Sequence, residues 1–191
     1  MTRKETDHLV ILAGGQSSRM GKDKAKVEFQ GKRMIDHMID RFSHHQIPII
    51  LSAAQDYGTG LQYIADDPDN PAGPVGAIFT LSDYFSQHGS QLSGFYTIPV
   101  DAPHTPTNIL ERLKRPESCT VAASQNRLHP VFAYWKCSIV EAVRHTYDPD
   151  SKTPSLRWLT RQCGAEIIEW EDNRGFTNIN TPEDLDIENN R

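Results

Sequence analysis

The residues best equipped for chemistry lie between Gly14 and Lys26. That stretch holds three glycines (Gly14, Gly15, Gly21), four cations (Arg19, Lys22, Lys24, Lys26) and one anion, Asp23, in a 191-residue chain of formal net charge −5. Glycine lacks Cβ, so it can take positive φ and let backbone N–H groups approach a ligand. Successive N–H groups aimed into a concavity bind anions. An acidic chain that sets four cations against one anion in a glycine-rich turn has the makings of a phosphate grip. A second candidate, Asp101, ends the apolar run Gly94–Val100. A carboxylate at the carboxyl end of a parallel strand stands where such sheets bind ligands.

Known phosphate loops do not describe this one. The G-x-x-x-x-G-K-[ST] pattern fails because five residues separate Gly15 from Gly21 and Asp23 stands at the Ser/Thr position; G-x-G-x-x-G is absent. A solvent-exposed turn rich in Gly, Ser and Lys is the plainer reading. The position directly after the apolar run His8-Leu-Val-Ile-Leu favours the grip.

The elements that must position these groups are legible from periodicity. His8–Ala13 is continuously apolar, as in a strand covered on both faces. Met34, Ile35, Met38, Ile39 and Phe42 recur at helical spacing, which predicts a helix over Lys32–Ser43, and Ile47–Ala53 is a second strand, completing a βαβ unit. A short apolar stretch, Leu61–Ala65, leads into Asp66-Asp67 and a Pro/Gly loop. A helix then carries Ala77, Ile78, Leu81, Tyr84 and Phe85 and stops near Gly89; Gly73 and Gly76 make its start a second place for orphan N–H groups to face a ligand. After the strand Gly94–Val100, Thr105-Pro106 reads as an N-cap and first helical position, with Pro116 as the stop. Cys119–Ser124 and Leu128–Trp135 pair as an antiparallel ribbon, Pro130 keeping its strand near an edge. Helical spacing at Ile139, Val140 and Val143, a polar surface segment over Asp148–Pro154, a helix capped by Ser155 and ended by Gly164, and a strand at Ile167-Ile168 follow. Thr181 and Asp184 stand at capping-box spacing around Pro182. Alternating strands and helices predict an α/β, three-layer α/β/α sandwich, organised as one domain over 1–191.

Composition excludes several classes. No apolar run approaches the roughly 18 residues of a membrane span, and the first residues lack a secretory h-region, so a cytoplasmic protein without membrane association is expected. Cys119, Cys137 and Cys163 are odd in number and widely spaced, which indicates structural thiols. The negative balance and lack of a basic run argue against nucleic acid as a partner.

Four motifs together resemble the molybdenum cofactor guanylyltransferases of the nucleotidyltransferase superfamily: Leu-Ala-Gly-Gly-x-Ser-x-Arg-Met-Gly-x-Asp-Lys at 12–24, Pro-Val-Asp-Ala-Pro at 99–103, Arg-x-His-Pro at 127–130 and Asn-Ile-Asn-Thr-Pro-Glu-Asp at 178–184. The resemblance covers almost the whole chain in order. It implies a Rossmann-like nucleotidyltransferase fold with a mostly parallel sheet, and a reaction in which GMP passes from GTP to the terminal phosphate of molybdopterin with release of pyrophosphate. It implies Mg²⁺ as cofactor, and GTP, molybdopterin and other proteins of molybdenum cofactor synthesis as partners.

Carried over residue by residue, the resemblance puts the Leu12-Ala13-Gly14 backbone against guanine and ribose, Gly15, Arg19 and Lys24 on the triphosphate, and Asp101 on Mg²⁺, with Arg19, Lys24 and Asp101 as the catalytic set. Asp66, with Asp67 beside it, matches a nucleotide-contacting acid. Arg127, His129, Asn178 and Asn180 would line the pterin side. Plainer readings stand beside these: Asp66 and Asp101 as turn residues, His129 as a satisfied sheet histidine, Asn178 and Asn180 as ties between the last loop and its helix. Two positions depart from the family pattern, Ala77 in place of a glycine and Ser52 where some members carry Asn. The alternative is another nucleotidyltransferase of the superfamily, a CTP-using cofactor cytidylyltransferase or a sugar-phosphate enzyme; Gly14-Gly15 resembles the guanylyl branch.

Overall fold

The apolar run at the head of the chain forms β1 (His8–Leu12), whose Leu9, Val10 and Ile11 are fully buried. The computed structural model describes residues 7–14, 23–88 and 93–189. A two-stranded antiparallel ribbon, β2 (Glu28–Phe29) and β3 (Lys32–Arg33), precedes α1 (Met34–Phe42). The helix starts two residues later than periodicity predicts because Lys32 and Arg33 pair with β2, and Arg33 stays extended at φ −61°, ψ 144°. There follow β4 (Ile49–Ser52), β5 (Tyr63–Ile64), α2 (Pro74–His88), β6 (Gly94–Pro99), α3 (Ile109–Leu113), β7 (Thr120–Ser124), β8 (Arg127–Lys136), α4 (Cys137–Thr146), α5 (Leu156–Gln162), β9 (Glu166–Trp170) and α6 (Pro182–Asn189).

Seven strands make one sheet in the order β5-β4-β1-β6-β8-β7-β9. It is parallel except along β8, which runs antiparallel to both β6 and β7. The two faces are covered by different helices, and alternation along β1 shows why. Leu9 and Ile11 point to a core with Met34, Ile35, Met38 and Phe42 of α1 and Ile109, Leu110 and Leu113 of α3. Val10 points to the other, with Val75, Ile78, Phe79 and Phe85 of α2, Val140 and Val143 of α4, and Leu159 of α5. Each such side chain contributes about 1.5–3 kcal/mol of burial, so both faces must be roofed. The result is the three-layer α/β sandwich.

Three expectations are corrected. Pro130 does not mark an edge: β8 lies inside the sheet, and the proline falls at the irregularity where pairing to β7 shifts between Val121 and Ala122, so no ladder bond is asked of it. Thr105 does not cap α3, because its hydroxyl donates to the Ala102 carbonyl at 2.7 Å in the turn after β6; the helix starts at Ile109 behind Asn108. Gly14 does not use positive φ. The β7–β8 ribbon itself is as read, turned by Gln125 and Asn126 at φ 49° and 62°, a left-handed pair that suits a tight hairpin. Ser155 Oγ accepts the Trp158 N–H at 3.1 Å, and Gly164 follows α5 at φ 57°.

Candidate functional site

β1 is flanked by β4 on one side and β6 on the other, both parallel to it, so the connections from β1 diverge there. Such a switch point opens a crevice beyond the strand ends. In register, Leu12 faces Ser52 across one ladder and Pro99 across the other. A cleft of ≈ 320 Å³ lies over these three residues. Its walls are Leu12, Ala13 and Gly14 after β1, Ser52 after β4, Asp66, Gly73, Pro74 and Ala77 around the start of α2, and Lys24, Asp101 and Asn178 at the far end. Val131 and Leu156 also line it. Neither residue's part was apparent in the sequence, where both look like ordinary core positions.

The backbone at Ala13 and Gly14 is anchored rather than free. Both N–H groups donate to the Ser52 carbonyl at 2.9 Å, and the Leu12 carbonyl accepts the Val100 N–H at 3.1 Å. These residues form the cleft wall while their N–H groups pin β1 to β4. Gly15 and Arg19 lie outside the described residues.

On the α2 side the loop is held by a close approach. A Cβ on Gly76 would sit 1.8 Å from the Pro71 carbonyl oxygen, and Gly73 has φ +90°. Asp66 and Asp67 separate cleanly. Asp67 accepts the Asp69 N–H at 2.9 Å in an Asx turn and gives its own N–H to Thr80 Oγ1 at 3.0 Å. Asp66 lines the cleft; it stays open to solvent, yet protein crowding around its carboxyl raises its pKa. Arg144 braces the loop from α4, donating to Asn70 at 3.1 Å and Asp83 at 3.0 Å. No local signal in the sequence pairs Arg144 with that loop.

Opposite Asp66 is a polar knot. Lys24 opens a 3₁₀ turn capped by Asp23, which accepts the Ala25 N–H at 3.1 Å, the Tyr57 hydroxyl at 2.9 Å and Gln55 Nε2 at 3.1 Å. The turn delivers the Lys24 ammonium to Asp101 Oδ2 at 2.5 Å and Asn180 Oδ1 at 2.5 Å. Asp101 is 6% exposed, and its Oδ1 is buried with no hydrogen-bond partner among the described residues. Two unit charges at 2.5 Å attract by about 7 kcal/mol in a protein-like dielectric, before desolvation is subtracted.

The last motif closes the knot. Ile179 N–H donates to the Asp101 carbonyl at 2.8 Å. The expected capping box is present: Asp184 N–H donates to Thr181 Oγ1 at 3.1 Å, while Asp184 Oδ2 accepts from Asn180 N and Thr181 N at 2.9 Å each. Those N–H bonds, the Asn180 one foremost, hold the Asp184 carboxyl below its usual range.

A second cleft of ≈ 310 Å³ adjoins the first and shares Val131 and Asn178 with it. Arg127, His129, Asn173, Thr177 and Asn180 line it. His129 is a satisfied sheet histidine that also lines this cleft. Its Nε2 lies 2.7 Å from Ser124 Oγ and its ring stacks on Phe176 at 4.6 Å, while it still forms part of the wall. Burial, with Arg127 nearby, lowers its pKa. The sequence-selected Leu12, Ala13, Gly14, Lys24, Asp66, Asp101 and Asn178 are thus brought to one cleft, and Arg127, His129, Asn178 and Asn180 to its neighbour, with Lys24 reaching between them.

Residues 9–165 match the family described as the MobA-like NTP transferase domain. The chain belongs to that family. Two similar relatives are named molybdenum cofactor guanylyltransferase. That of Rhizobium rhizogenes is 31% identical over 188 residues, covering 92% of this chain and 87% of its own length. That of Rhodopseudomonas palustris is 32% identical, covering 92% and 89%. Among solved structures, molybdopterin-guanine dinucleotide biosynthesis protein A from Archaeoglobus fulgidus superposes with a TM-score of 0.71 at 18% identity, covering 96% of this chain and 97% of its own, which establishes the shared fold. This MobA-like chain is therefore a nucleotidyltransferase by family. Among its described residues, no helix is long and apolar enough to cross a membrane.

Proposed function

We propose that this chain transfers GMP from GTP to the terminal phosphate of molybdopterin, forming the guanine dinucleotide and releasing pyrophosphate. The observation that carries the reading is the Lys24–Asp101 pair at the junction of two clefts of similar size, one walled largely by strand ends and the other by polar side chains. Relatives at about 30% identity that carry the guanylyltransferase name support the same conclusion.

In this reading the first cleft takes the nucleotide. The base and ribose lie along Leu12–Gly14, with Asp66 on the base's donor edge, since a carboxylate complements the adjacent N–H donors that guanine presents. Lys24 meets the triphosphate, joined by Gly15 and Arg19. The molybdopterin phosphate enters from the second cleft, past Arg127 and Asn178. One of its oxygens bonds to the α-phosphorus as the α–β bridging bond breaks and pyrophosphate leaves. The attacking group is already anionic, so no general base is needed; the obstacle is repulsion between two anions. Nucleotidyl transfer depends on positioning and charge neutralisation more than on covalent help from the protein, and Lys24 supplies a fixed cation where charge develops.

The residues fit a divalent cation of the Mg²⁺ type. Asp101 Oδ1 is a buried carboxylate oxygen with no protein partner among the described residues, and a hard cation that keeps waters and phosphate oxygens needs only one or two such ligands. When bound it would supply further neutralisation of the phosphate oxygens.

The test is a grid of each nucleoside triphosphate against molybdopterin and sugar 1-phosphates, with Mg²⁺, read by pyrophosphate release. Dinucleotide formation from GTP and molybdopterin is expected. Product from CTP alone, or from sugar phosphates and not molybdopterin, would overturn the assignment.

A further inference from the structure

The Lys24 ammonium touches two oxygens that come from separate parts of the chain. Asp101 Oδ2 stands at the end of β6, and Asn180 Oδ1 stands 2.5 Å away on the segment that leads to α6. The amide of Asn180 is oriented from its other end: Nδ2 donates to the Asn178 carbonyl at 3.3 Å, which turns the oxygen toward the ammonium. Its backbone is fixed too, with Asn180 N–H on Asp184 Oδ2 at 2.9 Å and the neighbouring Ile179 N–H on the Asp101 carbonyl at 2.8 Å. An asparagine that served only to grip an acceptor molecule would present its oxygen to the polar cleft. Here that oxygen is committed to a lysine of the neighbouring cleft.

We propose that Asn180 is a positioning residue for Lys24, holding the ammonium at the nucleotide cleft from the acceptor side, so that nucleotide affinity depends on Asn180 even with no acceptor present. The inference rests on reading the first cleft as the nucleotide site. A lysine has a long flexible stem, and each bond that fixes its head before binding reduces the ordering cost that binding must meet. With Asp101 alone as tether, Lys24 keeps rotamer freedom that a polyphosphate would have to freeze. With both, the ammonium is already in place. The fixed Asp184–Asn180–Lys24–Asp101 series also makes the two clefts energetically linked, because whatever disturbs Asn180 on one side alters the cation on the other.

Two measurements on Asn180→Ala test this. In competitive labelling with limiting acetic anhydride, read by mass spectrometry, Lys24 should react roughly three- to tenfold faster relative to exposed Lys152 than in the wild type, since one of its two acceptors is gone. In calorimetric titration with Mg·GTP and no molybdopterin, Kd should rise about tenfold, the loss expected for one charge-assisted hydrogen bond. Asn180→Asp keeps an oxygen at that position, so Lys24 labelling should return to the wild-type level or below, a rescue that mere disorder of the loop would not allow. Unchanged Lys24 labelling, or a Kd within about twofold of wild type, overturns the proposal. If wild-type protein binds CTP in place of GTP and Asn180→Ala weakens CTP by a similar factor, the positioning role stands and the guanine assignment falls.

Discussion

Replacing Asp101 by Asn changes one buried oxygen into an amide nitrogen and removes one charge, while the backbone bond from Ile179 to the Asp101 carbonyl is untouched. Three effects can be separated. The gross attraction to Lys24 at 2.5 Å, about 7 kcal/mol at an effective dielectric of 20, disappears. Most of it is offset, because the desolvation cost of the buried carboxylate disappears as well, and Lys24, 21% exposed in its side chain, keeps Asn180 and some water. The net stability loss should be about 1–2 kcal/mol, a fall in Tm of roughly 3–6 °C for a chain of this size. Catalysis should suffer far more. Oδ1, without a hydrogen-bond partner among the described residues, is the atom best suited to a cation, and weakening that contact removes charge neutralisation at the phosphate, about 3–4 kcal/mol or a 10²- to 10³-fold drop in kcat. The assay is pyrophosphate release from GTP and molybdopterin over a Mg²⁺ series, with a thermal scan on the same preparation. A kcat within about threefold of wild type at the same Mg²⁺ dependence would refute the metal role. A Tm fall beyond about 15 °C would show instead that the carboxylate is structural.

Gly76→Ala should be costly for a helical Gly→Ala change, which usually stabilises, because its Cβ would meet the Pro71 carbonyl at 1.8 Å. A loss of about 2–4 kcal/mol, seen as a Tm drop of roughly 5–12 °C, and a raised KM for GTP are expected; a rise in Tm would contradict the close approach. Burial lowers the pKa of His37, His45 and His129 below the ordinary value of 6.5. On acidification the unfolded chain therefore takes up protons first, so stability holds above pH 6.5 and falls as pH drops through the window below it. The fall is about 1.4 kcal/mol for each pH unit that separates a histidine's folded and unfolded pKa values. Urea midpoints measured from pH 7.5 to 5 should fall over that window, less steeply in His129→Gln, and a flat or rising midpoint would refute the sign.

The sequence was most informative wherever the determinants are local. A continuous apolar run gives β1, Ser155 caps α5 by accepting the N–H three residues on, and Thr181 with Asp184 forms the box at the start of α6, each bond spanning a few residues. Asp101 could be placed at a strand end by the same local reading. The lack of a partner for its Oδ1 among the described residues and its pairing with an ammonium could not, since those depend on how a turn at residue 24 lies against a carboxylate 77 positions later.

The misreadings have one physical origin. Pro130 read as an edge signal because a central ladder has no use for a residue without an N–H, yet the register shift against β7 falls at the proline and removes that demand. Gly14 read as an N–H donor to a ligand, but the Ser52 carbonyl on the next strand takes its N–H and that of Ala13. Thr105 read as a cap, and the Ala102 carbonyl claimed its hydroxyl. For Gly14 and Thr105 a hydrogen-bonding group was assigned by its neighbours in sequence and claimed by a partner the fold supplied. The same reasoning applies to Asn180. Motif reading sends it to the acceptor side, while a hydrogen bond across 156 positions gives its oxygen to Lys24. A long-range bond of this kind joins the two clefts through one cation, and it makes Asn180 the residue whose substitution should be felt in a titration that contains no acceptor at all.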